Sequence, residues 1–335
     1  MYVRKYVSAQ IIWHFSRQAT TGFFVLACAA YYAYVNLKWT MIAIPFLPVA
    51  TIGTAVAFYV GFKNNASYDR QWEARKIWSE IEHLSRFWAM ILTQEKGNGV
   101  DAGVHNSMIA HRLVYRQIAW VNALKYALRH EFAIEGVDNS QHLQVTLVRK
   151  LDANQIIEFR ELLSNFISAT EVDEVIDTNN ICARLLTKQM DDLNSFRDEG
   201  LSTEEYIKLL DVLQALSQQQ SATERINRFP FPRQYAHFSA IFVYIFIVLL
   251  PFSLLNELAK NDPSMLWLMI PVSVLLSWIF YTMEKVGDSS ENPFENGLND
   301  VPMTSICRDI EIDLRSMLRE TSLPDRLHPR EGILM

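Results

Sequence analysis

The stretch GFKNNASYDRQWEARKIW, Gly61 to Trp78, decides how this chain is read. The residues before it, Met41 to Phe62, carry no charge at all. Lys63, Asp69, Arg70, Glu73, Arg75 and Lys76 then follow in quick succession, and no Gly or Pro after Gly61 interrupts them. The simplest reading is one long helix that leaves a bilayer and continues into water. Met41 to Phe62 would rise about 33 Å as a helix, which matches a hydrocarbon core. The continuation is amphipathic. Trp72, Ile77, Ile81 and Leu84 can pack inward, while Arg70, Glu73 and Lys76 stand at three-residue spacing as charge partners. Such a helix would couple a membrane span to a cytosolic bundle, with Asn64, Arg70, Glu73 and Arg75 as the coupling residues. An ordinary span followed by a solvated helix fits the periodicity equally well.

Working outward, three more apolar runs qualify as spans: Ala19–Val35, Tyr235–Leu255 and Met265–Met283. Only NLKWT joins the first span to the second and NELAKNDPS the third to the fourth, so the spans form two hairpins. Arg4, Lys5 and Arg17 precede span one; Lys63, Arg70, Arg75 and Lys76 follow span two. Arg225, Arg228 and Arg233 precede span three and Lys285 follows span four, whereas the hairpin tips hold only Lys38 and Lys260. Both termini and the central block are therefore expected in the cytoplasm. The expected division is 1–62 for spans one and two, 63–233 for a helical cytosolic region, 234–284 for spans three and four, and 285–335 for a cytosolic tail. Polar residues and His14 interrupt the run after Arg4 and Lys5, so no signal peptide is expected.

The central block reads as helices throughout. Gln117–Arg129, Ile156–Ala169, Asn180–Leu193 and Thr203–Ile226 all repeat apolar residues at three-and-four spacing. Ser202-Thr203 followed by Glu204-Glu205 marks a helix start. KGNGVDAG near residue 96 reads as a flexible loop and RFPFPR, Arg228–Arg233, as a rigid elbow into span three. No alternating strand pattern interrupts this, so the fold class is all-α.

Several function classes drop out. A net charge of −6 with no long basic run excludes a nucleic-acid binder. Cys28, Cys182 and Cys307 lie far apart with no CxxC pair and are expected as reduced structural thiols. The histidines form no HExxH pair, and His83 and His111 are expected as surface or core residues rather than ligands. No GxSxG occurs, and the glycines of GNGVDAG have neither the spacing nor the preceding strand of a phosphate loop. The chain is not expected to be an enzyme.

The second span has a peculiarity of its own. FLPVATIGTAVAFYV is poor in Leu and rich in small or hydroxyl residues, with Pro45 and Pro48 at its start. Leu47, Thr51, Ala55 and Tyr59 form an i, i+4 stripe. Small residues on a membrane helix signal close helix packing, or, in an uncharged constriction, a pore wall.

GFKNNASYDRQWEARKIW preceded by FLPVATIG, RFPFPRQYAHF opening span three, and ENPFENGLNDVPMTSICRDIEIDLRSML, Glu291–Leu318, together resemble the bacterial bestrophin family over nearly the whole chain. The resemblance implies a homopentameric four-span ion channel in the lipid bilayer, with a helical cytosolic region and a narrow neck lined by five copies of span two. It places the neck at Leu47, Thr51 and Ala55. Bulky apolar residues stand at these positions in many relatives, so two small ones imply a wider, wetter constriction. It places a second, cytosolic aperture at Ile207, which periodicity alone also fits as a core residue. Animal members bind Ca²⁺ with an acidic run after the Asn-Pro-Phe motif. Here Asn292-Pro293-Phe294 is followed by Glu295 and Asp300 as the only carboxylates of that segment. A hard cation takes about six to eight oxygen ligands, so no Ca²⁺ clasp, and no metal or cofactor, is expected.

The amphipathic EIDLRSMLRE fits either a strap on a neighbouring subunit or a solvated helix, and Asp191–Glu205 either a vestibule wall or a solvated loop. The permeating ions are expected to be chloride or other small anions. A cation-selective homologue passing Na⁺ or K⁺ is the alternative, because the negative net charge does not favour anions in a wide vestibule. A membrane-anchored scaffold with a closed pore is the alternative from another class.

Overall fold

The computed structural model describes residues 1–2, 9–94, 100–130, 153–198, 201–229, 231–297, 299–329 and 332–334. Along the chain run α1 (Ala9–Val35), α2 (Phe46–Leu92), α3 (Val100–His130), α4 (Ala153–Ser164) and α5 (Ala169–Ile176). They are followed by α6 (Ile181–Asp198), α7 (Thr203–Arg228), α8 (Arg233–Asn261), α9 (Met269–Asp288) and α10 (Met303–Met317). Short 3-10 turns, Thr40–Ile42 and Pro263–Leu268, sit in the α1–α2 and α8–α9 links. Among the described residues there is no strand beyond an isolated bridge between Tyr2 and Ile333. The fold is all-α.

Two compact units can be distinguished, one comprising Arg4–Trp72 and Pro230–Asn292 and the other Met1–Val3, Glu73–Phe229 and Pro293–Met335. The 47-residue helix α2 contributes to both. The sequence division at 62/63 lies upstream of this one. The reason is that Lys63, Asn64 and Arg70 still bond to α9 and to the residues just beyond it.

In the first unit, the span unit, α1 lies along α9 and α8, with Ala27 and Ala30 buried beside Leu255, Leu266 and Met269. The segments Thr40–Leu92, Arg233–Lys260 and Pro263–Asp288 are long and apolar enough to cross a membrane. Among the described residues α1 is not one of these. Ser16, Arg17 and Gln18 bound the apolar run from Ala19 to Val35 on one side, and Thr20 and Thr21 dilute it from within. The second span becomes α-helical at Phe46 rather than Met41, because the 3-10 turn and Pro45 occupy the approach. Pro48 falls in the first helical turn, where a missing N–H leaves no bond unmade. The polar backbone of the link is met by α8: Ile44 N donates to Phe252 O (3.3 Å) and Asn256 Nδ2 to Ile44 O (3.0 Å).

The second unit, the bundle, is organised around α3, which contacts α4, α6, α7 and α10. Leu113, Val114, Ile118, Ala119, Trp120, Val121, Ala123 and Leu124 of α3 are all buried, and so are its polar Arg116, Gln117 and Asn122. Trp78, Trp88 and Trp120 are fully buried, each contributing about 4–6 kcal/mol of apolar burial. Ile77, Ile81 and Leu84 face inward as their spacing predicts, but Trp72 is 48% exposed and stacks on Tyr68. The inward tryptophan is Trp78.

Local chemistry redraws other boundaries. The continuous helix expected over Ile156–Ala169 breaks after Ser164, because Ser168 caps a new helix and accepts from Glu171 N (3.3 Å). The Ser-x-x-Glu spacing that produces this cap is visible in the sequence. Ser202 and Glu205 form a reciprocal capping box at the start of α7, where the helix was expected to begin. Of the KGNGVDAG loop, residues 96–99 lie outside the described residues, and Val100–Gly103 belong to α3. Cys28, Cys182 and Cys307 are free thiols, the last two buried. Burial pushes Cys307 up to about 11, which keeps it protonated.

Candidate functional site

The upper part of α2 presents two faces. Val49, Gly53, Val56 and Val60 are buried, with the valines against Val243, Phe246, Ile247 and Leu250 of α8. At Gly53 there is no room for a side chain: a Cβ there would stand 2.6 Å from Phe246 Cε2. Leu47, Thr51 and Ala55 lie on the exposed side, with Leu47 77% accessible. The Thr51 hydroxyl donates to Leu47 O (3.0 Å) and that of Thr54 to Ala50 O (3.0 Å). Their hydrogens are therefore committed to the helix.

Tyr59, the fourth member of the stripe, leaves that face. Residues spaced by four advance about 40° around a helix at each step, so by Tyr59 the row has turned toward α8. There its ring stacks on Tyr235 at 4.0 Å, and Tyr235 Oη donates to Tyr59 O (3.3 Å). Phe58 and Phe62, each 66% exposed, extend the open side instead.

Lys63, the first charge after the uncharged run, is only 1% exposed. Its Nζ lies 2.6 Å from Glu284 Oε1 of α9. Glu284 Oε2 accepts from Ser239 Oγ of α8 at 2.6 Å, and Asp288 Oδ1 lies 3.8 Å from the ammonium. The buried charges thus come as a pair with a hydroxyl on the second carboxylate oxygen, the form in which buried ions are tolerated at membrane depth. One residue on, Asn64 Nδ2 donates to Met283 O (3.0 Å). Gly287 makes room for it, since a Cβ at Gly287 would come within 2.0 Å of Asn64 Oδ1.

The remaining coupling residues each find a partner far along the sequence. In the span unit Arg70 Nε donates to Glu291 O (3.0 Å). In the bundle Glu73 pairs with Arg225 (2.6 Å), and Arg75 Nη2 donates to Asn299 O (3.2 Å). Burial raises the Glu291 carboxyl above the ordinary glutamate range, against the nearby Arg233 guanidinium.

In the bundle, Ile207 stands on the outer face of α7, 51% exposed, so it is not a core residue of the single chain. The acidic Asp191–Glu205 stretch is partly neutralised, since Asp192 binds Arg112 (2.8 Å) and the buried Arg116 (2.6 Å). After the Asn-Pro-Phe motif Phe294 is buried in the bundle core, and Asp300 Oδ2 accepts from Gly297 N (2.7 Å). That bond commits Asp300 to its own turn, while Glu295 is exposed. Among the described residues no group of three or more His, Cys, Asp or Glu side chains converges. His83 is exposed beside Phe87, and His111 is 53% exposed beside Tyr115.

Comparison with known proteins agrees with the architecture. The family model described as Bacterial/Fungal Bestrophin protein matches residues 2–316. The chain belongs to this bestrophin family. It is 28% identical over 306 residues to the voltage-dependent anion channel-forming protein YneE of Escherichia coli, covering 91% of this chain and 86% of that protein. A voltage-dependent anion channel-forming protein of Ralstonia nicotianae is 27% identical over 318 residues, covering 93% and 90%. The crystal structure of a bacterial bestrophin homologue from Klebsiella pneumoniae superposes with a TM-score of 0.73 at 22% identity, covering 90% of this chain and 98% of that one. Bestrophins are ion channels, so this chain is a membrane protein and not an enzyme.

Sequence reasoning missed the Lys63–Glu284–Ser239 cluster of this bestrophin. Two signals were available. Lys63 opens the charged run immediately after an uncharged span, and Glu284 is the first charge after Met265–Met283. Which of Lys63, Arg70 or Arg75 would meet Glu284 depends on how α2 and α9 align, and that is not written in either segment alone.

Proposed function

We propose that this chain forms a homopentameric, passive channel for chloride and other small anions in the bacterial inner membrane. Five copies of α2 form the neck, lined by Leu47, Thr51 and Ala55, and five copies of Ile207 form a cytosolic aperture. All four apolar helices cross the bilayer, α1 included, with both termini in the cytoplasm. The single observation that carries the reading is the open face of α2. It is uncharged from Leu47 to Phe62, carries hydroxyl oxygens at Thr51 and Thr54, and ends at a lysine whose charge is buried against Glu284. A neck of this kind selects by width and by partial dehydration against neutral dipoles rather than by a charged ring. The curated relatives are named as anion channel-forming proteins, which favours anions over cations. Asn64, Arg70, Glu73 and Arg75 serve as structural couplers. No resident cofactor enters the reading.

The test is a reversal potential. Purified protein in a planar bilayer, under a KCl gradient and then a NaCl gradient, should reverse near the chloride equilibrium potential in both salts. Reversal near the cation potential would transfer the reading to a Na⁺ or K⁺ pore. Absence of current would transfer it to a scaffold.

A further inference from the structure

The bundle contains a cavity of about 430 Å³ bounded by α3, α4 and α10, which the pore reading does not use. Its charge is unbalanced. Lys125, Arg308 and Arg315 line it together with Glu311; Arg315 is already held by Glu320 (2.7 Å) and by Ser322 O (2.8 Å), which leaves Lys125 and Arg308 as the cations short of negative charge. Glu311 is already shared, 3.1 Å from Arg315 and 3.5 Å from Arg308. Lys125 donates from Nζ to the neutral Asn122 Oδ1 (2.8 Å) and has no carboxylate partner among the described residues. One turn further along α3, Arg129 donates to the neutral oxygens Thr304 Oγ1 (2.7 Å) and Asn296 Oδ1 (3.0 Å), and Thr304 is itself part of the lining. Burial lowers the pKa of Lys125 below the ordinary lysine value, as expected of a cation that lacks its counter-charge.

Cations gathered around a cavity without matching carboxylates cost the apo fold stability unless something supplies the missing negative charge. A guanidinium fork and an ammonium suit an oxyanion with several acceptor oxygens better than a spherical halide. Leu162 and Phe166 form the opposite, apolar wall. The space is large enough for an organic anion of roughly ten non-hydrogen atoms.

We propose that this cavity is a binding site for a small multivalent oxyanion, whose phosphoryl or carboxylate oxygens are held by Lys125 and Arg308 while Leu162 and Phe166 cover its carbon skeleton. The occupant would draw α10 onto α3 and α4 and so stabilise the bundle of each subunit.

The assembled full-length protein in detergent is titrated calorimetrically with inorganic phosphate and, separately, with citrate, at fixed chloride and ionic strength. Saturable binding of at least one probe at one site per subunit is expected, with a raised thermal midpoint; which probe binds more tightly separates a phosphoryl from a carboxylate ligand. Lys125→Gln and Arg308→Gln should each weaken binding about tenfold or more, the loss of one charge-assisted hydrogen bond. Thr51→Phe, in the proposed neck, should leave it unchanged. Arg308 is one-third exposed, so Arg308→Gln reports on the site even where Lys125→Gln does not fold. Failure of both probes to bind saturably at millimolar concentration overturns the proposal. So does binding that ignores Arg308→Gln, or binding abolished by Thr51→Phe, which would place the anion in the pore.

Discussion

Replacing Lys63 by Met isolates the energetic role of the buried ion pair at the end of the uncharged run. The lysine is 1% exposed, its Nζ is 2.6 Å from Glu284 Oε1, and the Glu284 side chain is 6% exposed. Lys63→Met leaves the Glu284 carboxylate buried with Ser239 as its hydrogen-bond donor and the Asp288 carboxylate near by. Breaking a buried pair from one side costs about 3–5 kcal/mol. Glu284→Gln should cost less, about 1–3 kcal/mol, because Lys63 keeps Asp288 at 3.8 Å, which is half exposed and solvated. The double variant carries neither charge, and so should be more stable than Lys63→Met alone. The coupling between the two positions should exceed about 1 kcal/mol. Unfolding of the detergent-solubilised protein, followed by tryptophan fluorescence across a denaturant series, supplies all four corners of the cycle. If Lys63→Met and the double variant unfold at the same midpoint, the stranded Glu284 charge is not the source of the cost. The ion-pair account would then fail.

Other outcomes follow from the same geometry. Thr51→Phe should cut single-channel conductance roughly tenfold or more by dewetting the neck, measured in planar bilayers; unchanged conductance would remove Thr51 from the lining. Gly53→Ala should destabilise the α2–α8 contact by about 1–3 kcal/mol through overpacking, and Phe246→Leu in the same chain should recover part of the loss, since Phe246 is the side chain the new methyl meets. Arg75→Ala should lower the unfolding midpoint by removing its bond to Asn299 O without moving the reversal potential; a changed ion preference would show that Arg75 acts on permeation. Burial works to raise the Glu320 carboxyl, but hydrogen bonds from Tyr115 (2.7 Å) and Arg315 (2.7 Å) outweigh it and hold the group below 4.5. A depressed carboxyl contributes stability above its unfolded value and loses it as the pH falls through the folded one. The thermal midpoint should therefore drop on acidification below 4.5, and Glu320→Gln should flatten that step.

How much was legible in the sequence depends on the range of the interaction involved. One helix running from the uncharged stretch into the charged residues was legible as a possibility, because no Gly or Pro follows Gly61, but an ordinary span followed by a solvated helix fitted the same spacing, and the structure gives one helix from Phe46 to Leu92. The Ser202–Glu205 capping box was readable, since all its parts lie within one turn. Ser168 carried the same signal and was passed over because the apolar spacing of Ile156–Ala169 was read as uninterrupted. The inward face below Gly61 was right at Ile77, Ile81 and Leu84 and wrong at Trp72. A hydrophobic tryptophan satisfies the pattern whether it faces a core or an open side.

The sequence by itself determined that this protein is all-helical, that it enters a membrane through paired apolar runs, and that Leu47, Thr51 and Ala55 share one side of α2. These follow from composition and helical period, which act within a single segment. Only the tertiary structure decided that Tyr59 leaves that side to stack on Tyr235, that Gly53 is where α2 meets Phe246, and that Lys63 is neutralised by a glutamate 221 residues away. It also decided that cations from α3 and α10 surround one cavity with too few carboxylates among them. Such facts depend on the rotation and register of one helix against another. These are set by the sum of many packing contacts and are encoded in no single stretch of either helix.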